Sequence, residues 1–227
     1  MSKFEEQTID IVGTLGLRWE PLAMRFSDRE DPRGDSSRRI RVCEAFDAVR
    51  REGSIIDFTK ENCICPGGKH YLGLEPLPPE IVAGVWTKAY KAYGSIDTAV
   101  ASVKKQPQPV KRGSHFILNP LRKSESDPDV VAFFLNPEQA DRLLGLVSFN
   151  GAQPFAYYPV SNICSAISNT LVKGTSEINF LSSHSRKFAK WSPNELMVSM
   201  PFKDFELAVG NIDLSGYGSA VTGQPRV

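Results

Sequence analysis

Val42-Cys-Glu-Ala-Phe-Asp-Ala-Val-Arg-Arg-Glu-Gly53 and Ile163-Cys-Ser-Ala-Ile-Ser-Asn-Thr-Leu-Val-Lys-Gly174 are the two stretches that decide how the chain is organised. In the first, Val42, Ala45, Phe46 and Val49 stand at i, i+3, i+4 and i+7, the spacing of one helix face, and Gly53 supplies the stop. In the second, Ile163, Ala166, Ile167 and Thr170 repeat that spacing. Cys164 falls where Cys43 did, and Gly174 where Gly53 did. A short strand follows each, Ile55-Ile-Asp-Phe58 and Glu177-Ile-Asn-Phe180, and an apolar strand precedes each, Leu22 to Phe26 and Asp129 to Leu135. Further on, Pro193 to Met200 can be laid on Pro79 to Val85, with Lys203 and Phe205 on Lys88 and Tyr90. The reading is an internal duplication. It predicts an α+β fold in which two related αβ halves, residues 1–106 and 107–227, pack about a pseudo-two-fold axis as one globular body. The seam between such copies is a natural place for a pocket.

Around these stretches, Lys3 to Leu15 reads as an amphipathic helix closed by Gly16, and Pro21 to Phe26 as a buried strand. The charged run Asp28 to Arg41 reads as a solvated loop, and Pro78 to Trp86 leads into a helical stretch reaching Gly94. Lys104 to Gly113 is the best linker, followed by a strand over Ser114 to Leu121. Asn136-Pro-Glu138, after the strand Val130 to Leu135, is a helix start with Asn as N-cap and Pro at the first helical position. From about Gly210 the glycines and Pro225 predict a loose tail.

With 27 Lys+Arg against 26 Asp+Glu, the formal net charge is +1, so no global field draws the chain to nucleic acid or anionic lipid. The apolar run Val130 to Leu135 is far shorter than the roughly 20 residues of a membrane span. The opening, Met1-Ser-Lys-Phe-Glu-Glu, has acids where an export signal needs a basic and then apolar run. A cytoplasmic protein with no nucleic-acid or membrane partner is expected, served by a small molecule or a redox partner. Its thiols are then reduced and form no disulfide framework.

Asn62-Cys-Ile-Cys-Pro-Gly-Gly-Lys-His70 is the most unusual segment. Pro66, Gly67 and Gly68 predict a tight turn in which Cys63 and Cys65 converge. Its free N–H groups, with Lys69, suit cluster sulfurs or an anion. An ordinary turn with one buried and one exposed thiol is the alternative. Cys43 and Cys164 lie beside the apolar stripes of their helices, near N-termini that favour thiolate. Cys43, Cys65 and Cys164 are therefore expected to converge between the halves as ligands of an iron–sulfur cluster or another soft metal, with Cys63 the first choice and His184 the second as fourth ligand. Structural zinc is disfavoured, because its paired Cys-x2-Cys spacing is absent. Without metal, the same cleft reads as a small-molecule or anion site built from Gly67, Gly68, Lys69 and Arg186. His115, in an apolar strand, reads as structural, and His70 as surface or pocket rim. Walker loops, GxSxG and HExxH are absent.

Cys43-Glu-Ala, Cys65-Pro-Gly-Gly with Leu72-Gly-Leu after it, Asp127-Pro-Asp-Val-Val131, Asn136-Pro-Glu-Gln-Ala140 and the Cys164 helix start together resemble the prokaryotic "domain of unknown function 169" family. That family is frequent in anaerobes and carries no established reaction. The resemblance implies a Gly-Cys pair before Gly-x-Arg in the loop after the second cysteine helix. Here that place reads Leu181-Ser182-Ser-His-Ser-Arg186, so Ser182 stands where a fourth cysteine is implied.

Overall fold

The computed structural model describes residues 1–109, 111–151, 153–158 and 162–219. Its elements are α1 (Lys3–Leu15), β1 (Leu22–Ser27), α2 (Val42–Glu52), β2 (Ile56–Phe58), α3 (Pro66–Tyr71), α4 (Pro79–Tyr90), α5 (Ile96–Lys105), β3 (His115–Pro120), β4 (Val130–Leu135), α6 (Pro137–Ser148), β5 (Phe155–Ala156), α7 (Ile163–Lys173), β6 (Ser176–Asn179), α8 (Ser183–Phe188), β7 (Leu196–Pro201) and α9 (Phe202–Gly210). The fold is mixed α+β.

The strands form one sheet in the order β2-β3-β1-β4-β7-β6-β5, antiparallel except for the β5–β6 pair. Strand alternation sends Leu22 and Met24 to one face and Ala23 to the other. One face packs against α2, α4, α5 and α7, the other against α1, α6 and α9. β4 is buried along its whole length because both its faces are covered, which explains its unbroken apolar run.

The two cysteine helices form as their sequences predict. Each ends on a glycine with a left-handed backbone, Gly53 at φ 66° and Gly174 at φ 64°. Each starts with its third residue bonding back to the N-cap. Arg41 N donates to Glu44 Oε2 at 3.1 Å, and Asn162 N to Ser165 Oγ at 2.9 Å. Asn136 caps α6 in the expected way, accepting from Gln139 N at 2.9 Å.

Three expectations need correcting. Pro193 to Met200 does not match Pro79 to Val85: the former runs into strand β7, the latter starts helix α4. Pro66 to Tyr71 is a short helix with Pro66 in its first turn, not a turn. Residues 211–219 are docked rather than loose. The Arg142 guanidinium donates to the carbonyls of Tyr217 and Ser219, and the Tyr217 ring covers Gly145. The rest of the expected tail, from 220, lies outside the described residues. Among the described residues, no helix is long and apolar enough to cross a membrane.

Candidate functional site

α2 packs beside α7 on one face of the sheet, and α3 packs against α7. Cys43 and Cys164 are the second residues of α2 and α7, and Cys65 is the N-cap of α3. Their close approach depends on the two glycines of α3. A Cβ on Gly68 would meet Val42 Cγ2 at 2.6 Å, Cys65 Sγ at 2.7 Å and Cys63 Sγ at 2.9 Å, and one on Gly67 would meet Cys164 Sγ at 4.0 Å. The α3 backbone thus forms a floor against which sulfurs rest.

Above it opens a cavity of about 140 Å³. Cys43, Cys65 and Cys164 line it together with Gly67 and Gly68. Ile64, Val85, Trp86 and Ile163 give it an apolar wall, and Arg41, Asn162, His184 and Ser185 a polar edge. The three cysteines thus open on one cavity. Among the described residues, however, no three His, Cys, Asp or Glu side chains are grouped as one metal ion requires.

The thiols differ in their electrostatics. The Cys65 pKa falls below the ordinary thiol range. A hydrogen bond from Cys63 is the main cause, and the N–H groups of Val42 and Gly68 and the charge of Arg41 add to it against the opposing effect of burial. Cys63 is pushed up by that same bond and by burial. Cys43 is pushed up to about 12, first by burial and then by Cys65 and Glu44. Burial raises Cys164 as well, with Cys65 and Cys43 adding to it. Burial, then Arg41 and Lys187, bring His184 down to about 4, so its imidazole is neutral at neutral pH.

The remaining candidates divide clearly. His184 lines the cavity, whereas Cys63 does not. Cys63 lies behind Cys65, 1% exposed, beside a separate surface groove that Lys69 and Arg39 share. Lys69 pairs with Glu75 at 2.9 Å on that outer side. Arg186 is spent on the backbone carbonyls of Ser192, Phe180 and Glu195, outside the cavity lining. The cation of the cavity is Arg41, held over the Phe188 ring at 4.2 Å and 3.4 Å from Glu44. The sequence reading missed it because it closes a run of charged residues. Its place directly before the cysteine helix was the available signal.

Ser182, where a cysteine was implied, caps α8. Its hydroxyl accepts from Ser185 N at 3.3 Å and donates to Asn162 Oδ1 at 3.1 Å. His115 is structural as expected, its Nδ1 3.0 Å from Asp57 Oδ1. His70 is not at the surface but buried, 5% exposed, with its pKa lowered by burial.

Comparison with known proteins agrees with the residues that suggested a relationship. The family described as "Uncharacterised ArCR", domain of unknown function 169, matches residues 10–211. An uncharacterised protein of Methanocaldococcus jannaschii is 24% identical over 167 residues, covering 71% of each chain. No solved structure matches the chain. Because the family match spans nearly the whole fold described above, the chain belongs to the domain of unknown function 169 family.

Proposed function

We propose that the cavity holds an iron–sulfur cluster on Cys43, Cys65 and Cys164, leaving one position open to His184 or to a small ligand. The observation that carries this reading is the opening of three thiols, from three different helices, on one cavity. The donor set suits the group, since cysteine thiolates are the usual cluster ligands. A single ion would need its sulfurs about 2.3 Å from one point, and the described residues offer no such grouping. A cluster spreads its cysteines over several irons. The side-chain-free Gly67 and Gly68 leave the sulfurs room to approach.

The chain's own contribution is electrostatic and steric. Cys65 is already disposed to ionise, while Cys43 and Cys164 give up their protons only to a compensating cation, so loading releases protons. Ile64, Val85, Trp86 and Ile163 restrict water, and Arg41 offers an anion a partner at the edge. When bound, the cluster supplies one-electron transfer or Lewis acidity at an open iron. In anaerobically prepared protein, Cys43→Ala or Cys164→Ala should lose visible absorption and iron while keeping the far-UV circular dichroism of wild type. Colour and iron unchanged in both variants would reject this ligand set.

A second reading is metal-free binding of a small anion in the same cavity, favoured by Arg41 facing an apolar wall that contains Trp86. Saturable quenching of Trp86 fluorescence by a small carboxylate, lost in Arg41→Met, would support it in chelator-treated protein. In either reading the protein works in a reducing cytoplasm, where four free thiols persist.

We also propose that the site straddles two copies of one unit. The sheet order reads β2-β3-β1 and then β4-β7-β6, so a two-fold axis between β1 and β4 exchanges β1 with β4, β3 with β7 and β2 with β6. β3 and β7 both end on proline, Pro120 and Pro201. The same exchange relates the packing of α3 on α7 to that of α8 on α2. On this pairing the division falls between Lys123 and Val130, not at residue 106, because β3 lies between β2 and β1. Superposition of the halves tests it: α2 and α7 must coincide when β1 is laid on β4.

A further inference from the structure

We propose that Cys63 and Cys65 are an oxidation site: they close a reversible disulfide that withdraws Cys65 from the cavity. Cys63 is the one cysteine the cavity does not use. Its sulfur and that of Cys65 both lie within 2.9 Å of the point that a Cβ on Gly68 would occupy, so the absent side chain leaves them side by side. The Cys63 thiol also reaches the Cys65 carbonyl at 3.9 Å. Backbone bonds hold Cys63 in place: its N–H donates to Thr59 O at 3.1 Å, and Ile64 N to Ile40 O at 3.2 Å. Cys63 is buried behind its partner, whereas Cys65 faces the cavity and is partly exposed. That is the arrangement of an attacking thiol in front of a resolving one, and joining them needs the sulfurs to approach to about 2.05 Å.

The co-reactant is a small organic disulfide. The Cys65 thiolate attacks one of its sulfurs, a mixed disulfide forms on Cys65, and one half of the reagent leaves as thiolate. The Cys63 thiol gives its proton to that thiolate and attacks the Cys65 sulfur. The second half leaves as thiolate and takes a proton from solvent. Two protein thiols are oxidised to one disulfide, and one reagent disulfide is reduced to two thiols. The disulfide stands on geometry alone; its consequence, a cavity unable to hold a cluster until reduced, rests on the proposed function.

The test uses the full chain, treated with chelator, exposed to 2-hydroxyethyl disulfide, then denatured, alkylated and digested with trypsin. Both cysteines fall in one peptide, Glu61 to Lys69, bounded by Lys60 and Lys69. The expected result is that peptide two hydrogens lighter and unalkylated, with Cys43 and Cys164 alkylated. Dithiothreitol should restore two alkylation sites. In Cys63→Ser, Cys65 should carry the reagent half instead of a bridge, while the anaerobic variant keeps the iron of wild type. Glu61 to Lys69 with two alkyl groups after oxidation, or Cys65 bridged to Cys43 or Cys164, would overturn the proposal. Iron-free wild type would count against the cluster alone, because the peptide mass reads the disulfide directly.

Discussion

Cys65 and Ser182 hold the same place in two short helices, each the N-cap of a helix whose first turn lines the cysteine cavity. One contributes a thiol to that region, the other a hydroxyl bonded to Asn162. If the cavity holds a cluster, Ser182→Cys should supply a further ligand. The variant is expected to retain more iron per chain and to bleach more slowly in air, at a stability cost of about 1 kcal/mol for the weakened cap. Timed loss of visible absorption measures this, and a bleaching rate equal to that of wild type would count against a cysteine ligand from this position.

Gly68 and Gly67 should respond differently to the same change. Gly68→Ala places a methyl 2.6 Å from Val42 Cγ2 and under 3 Å from two sulfurs. Overpacking of this kind costs about 1–3 kcal/mol, and it also pushes Cys65 aside. Gly67→Ala meets only Cys164 Sγ, at 4.0 Å, and should leave the denaturant midpoint nearly unchanged. Equal midpoints for the two variants would contradict the packing described.

In metal-free protein the thiols should separate by pH. Cys65, lowered by its bond from Cys63, is expected to be alkylated first as pH rises through neutrality, while Cys43, pushed up to about 12, stays unreactive over that range. The signs carry over to stability. Ionised Cys65 stabilises the fold above the ordinary thiol range, and that contribution fades as pH falls. Cys43 does the reverse: above about pH 9 the unfolded chain ionises there and the folded one does not. Alkylation followed by peptide mapping across this range checks the order.

Arg50 provides a control away from the cavity. Its buried guanidinium bonds Asp47 at 2.8 Å and Glu195 at 3.0 Å, joining α2 to the turn before β7. Arg50→Ala leaves Asp47 with Arg51 as its remaining cation and half-buried Glu195 without its arginine, and should cost about 1–3 kcal/mol in urea unfolding, with any iron per folded chain unaltered. A midpoint within error of wild type would mean that this pair does not tie the two segments.

How much of this was readable in advance depends on how far local pattern and packing agree. The helices at Val42 and Ile163 were legible because their apolar period, cysteine register and terminal glycine all pointed the same way. α3 was not, since Pro66-Gly-Gly is poor helix sequence. Pro in the first turn and packing on α7 overrode that propensity. Pro193 misled in the opposite direction: it resembled a helix start, but the next residues are the Leu196–Pro201 strand, buried between both helix layers. For the site, Cys43, Cys65 and Cys164 line one cavity, and the available signal was their place at helix N-termini. Cys63 stands outside that cavity lining, because closeness in sequence to Cys65 does not say which side of the loop a thiol takes. Trp86 reaches the cavity through the packing of α4 on α3, which no local pattern records.

The most direct test of the cluster is iron and acid-labile sulfide analysis of the full-length protein purified without oxygen, beside a Cys43→Ala/Cys65→Ala/Cys164→Ala variant that retains wild-type circular dichroism. Iron and sulfide in roughly equal amounts in wild type, and neither in the variant, is the predicted result. A wild type free of both, or a variant that keeps both, would contradict it.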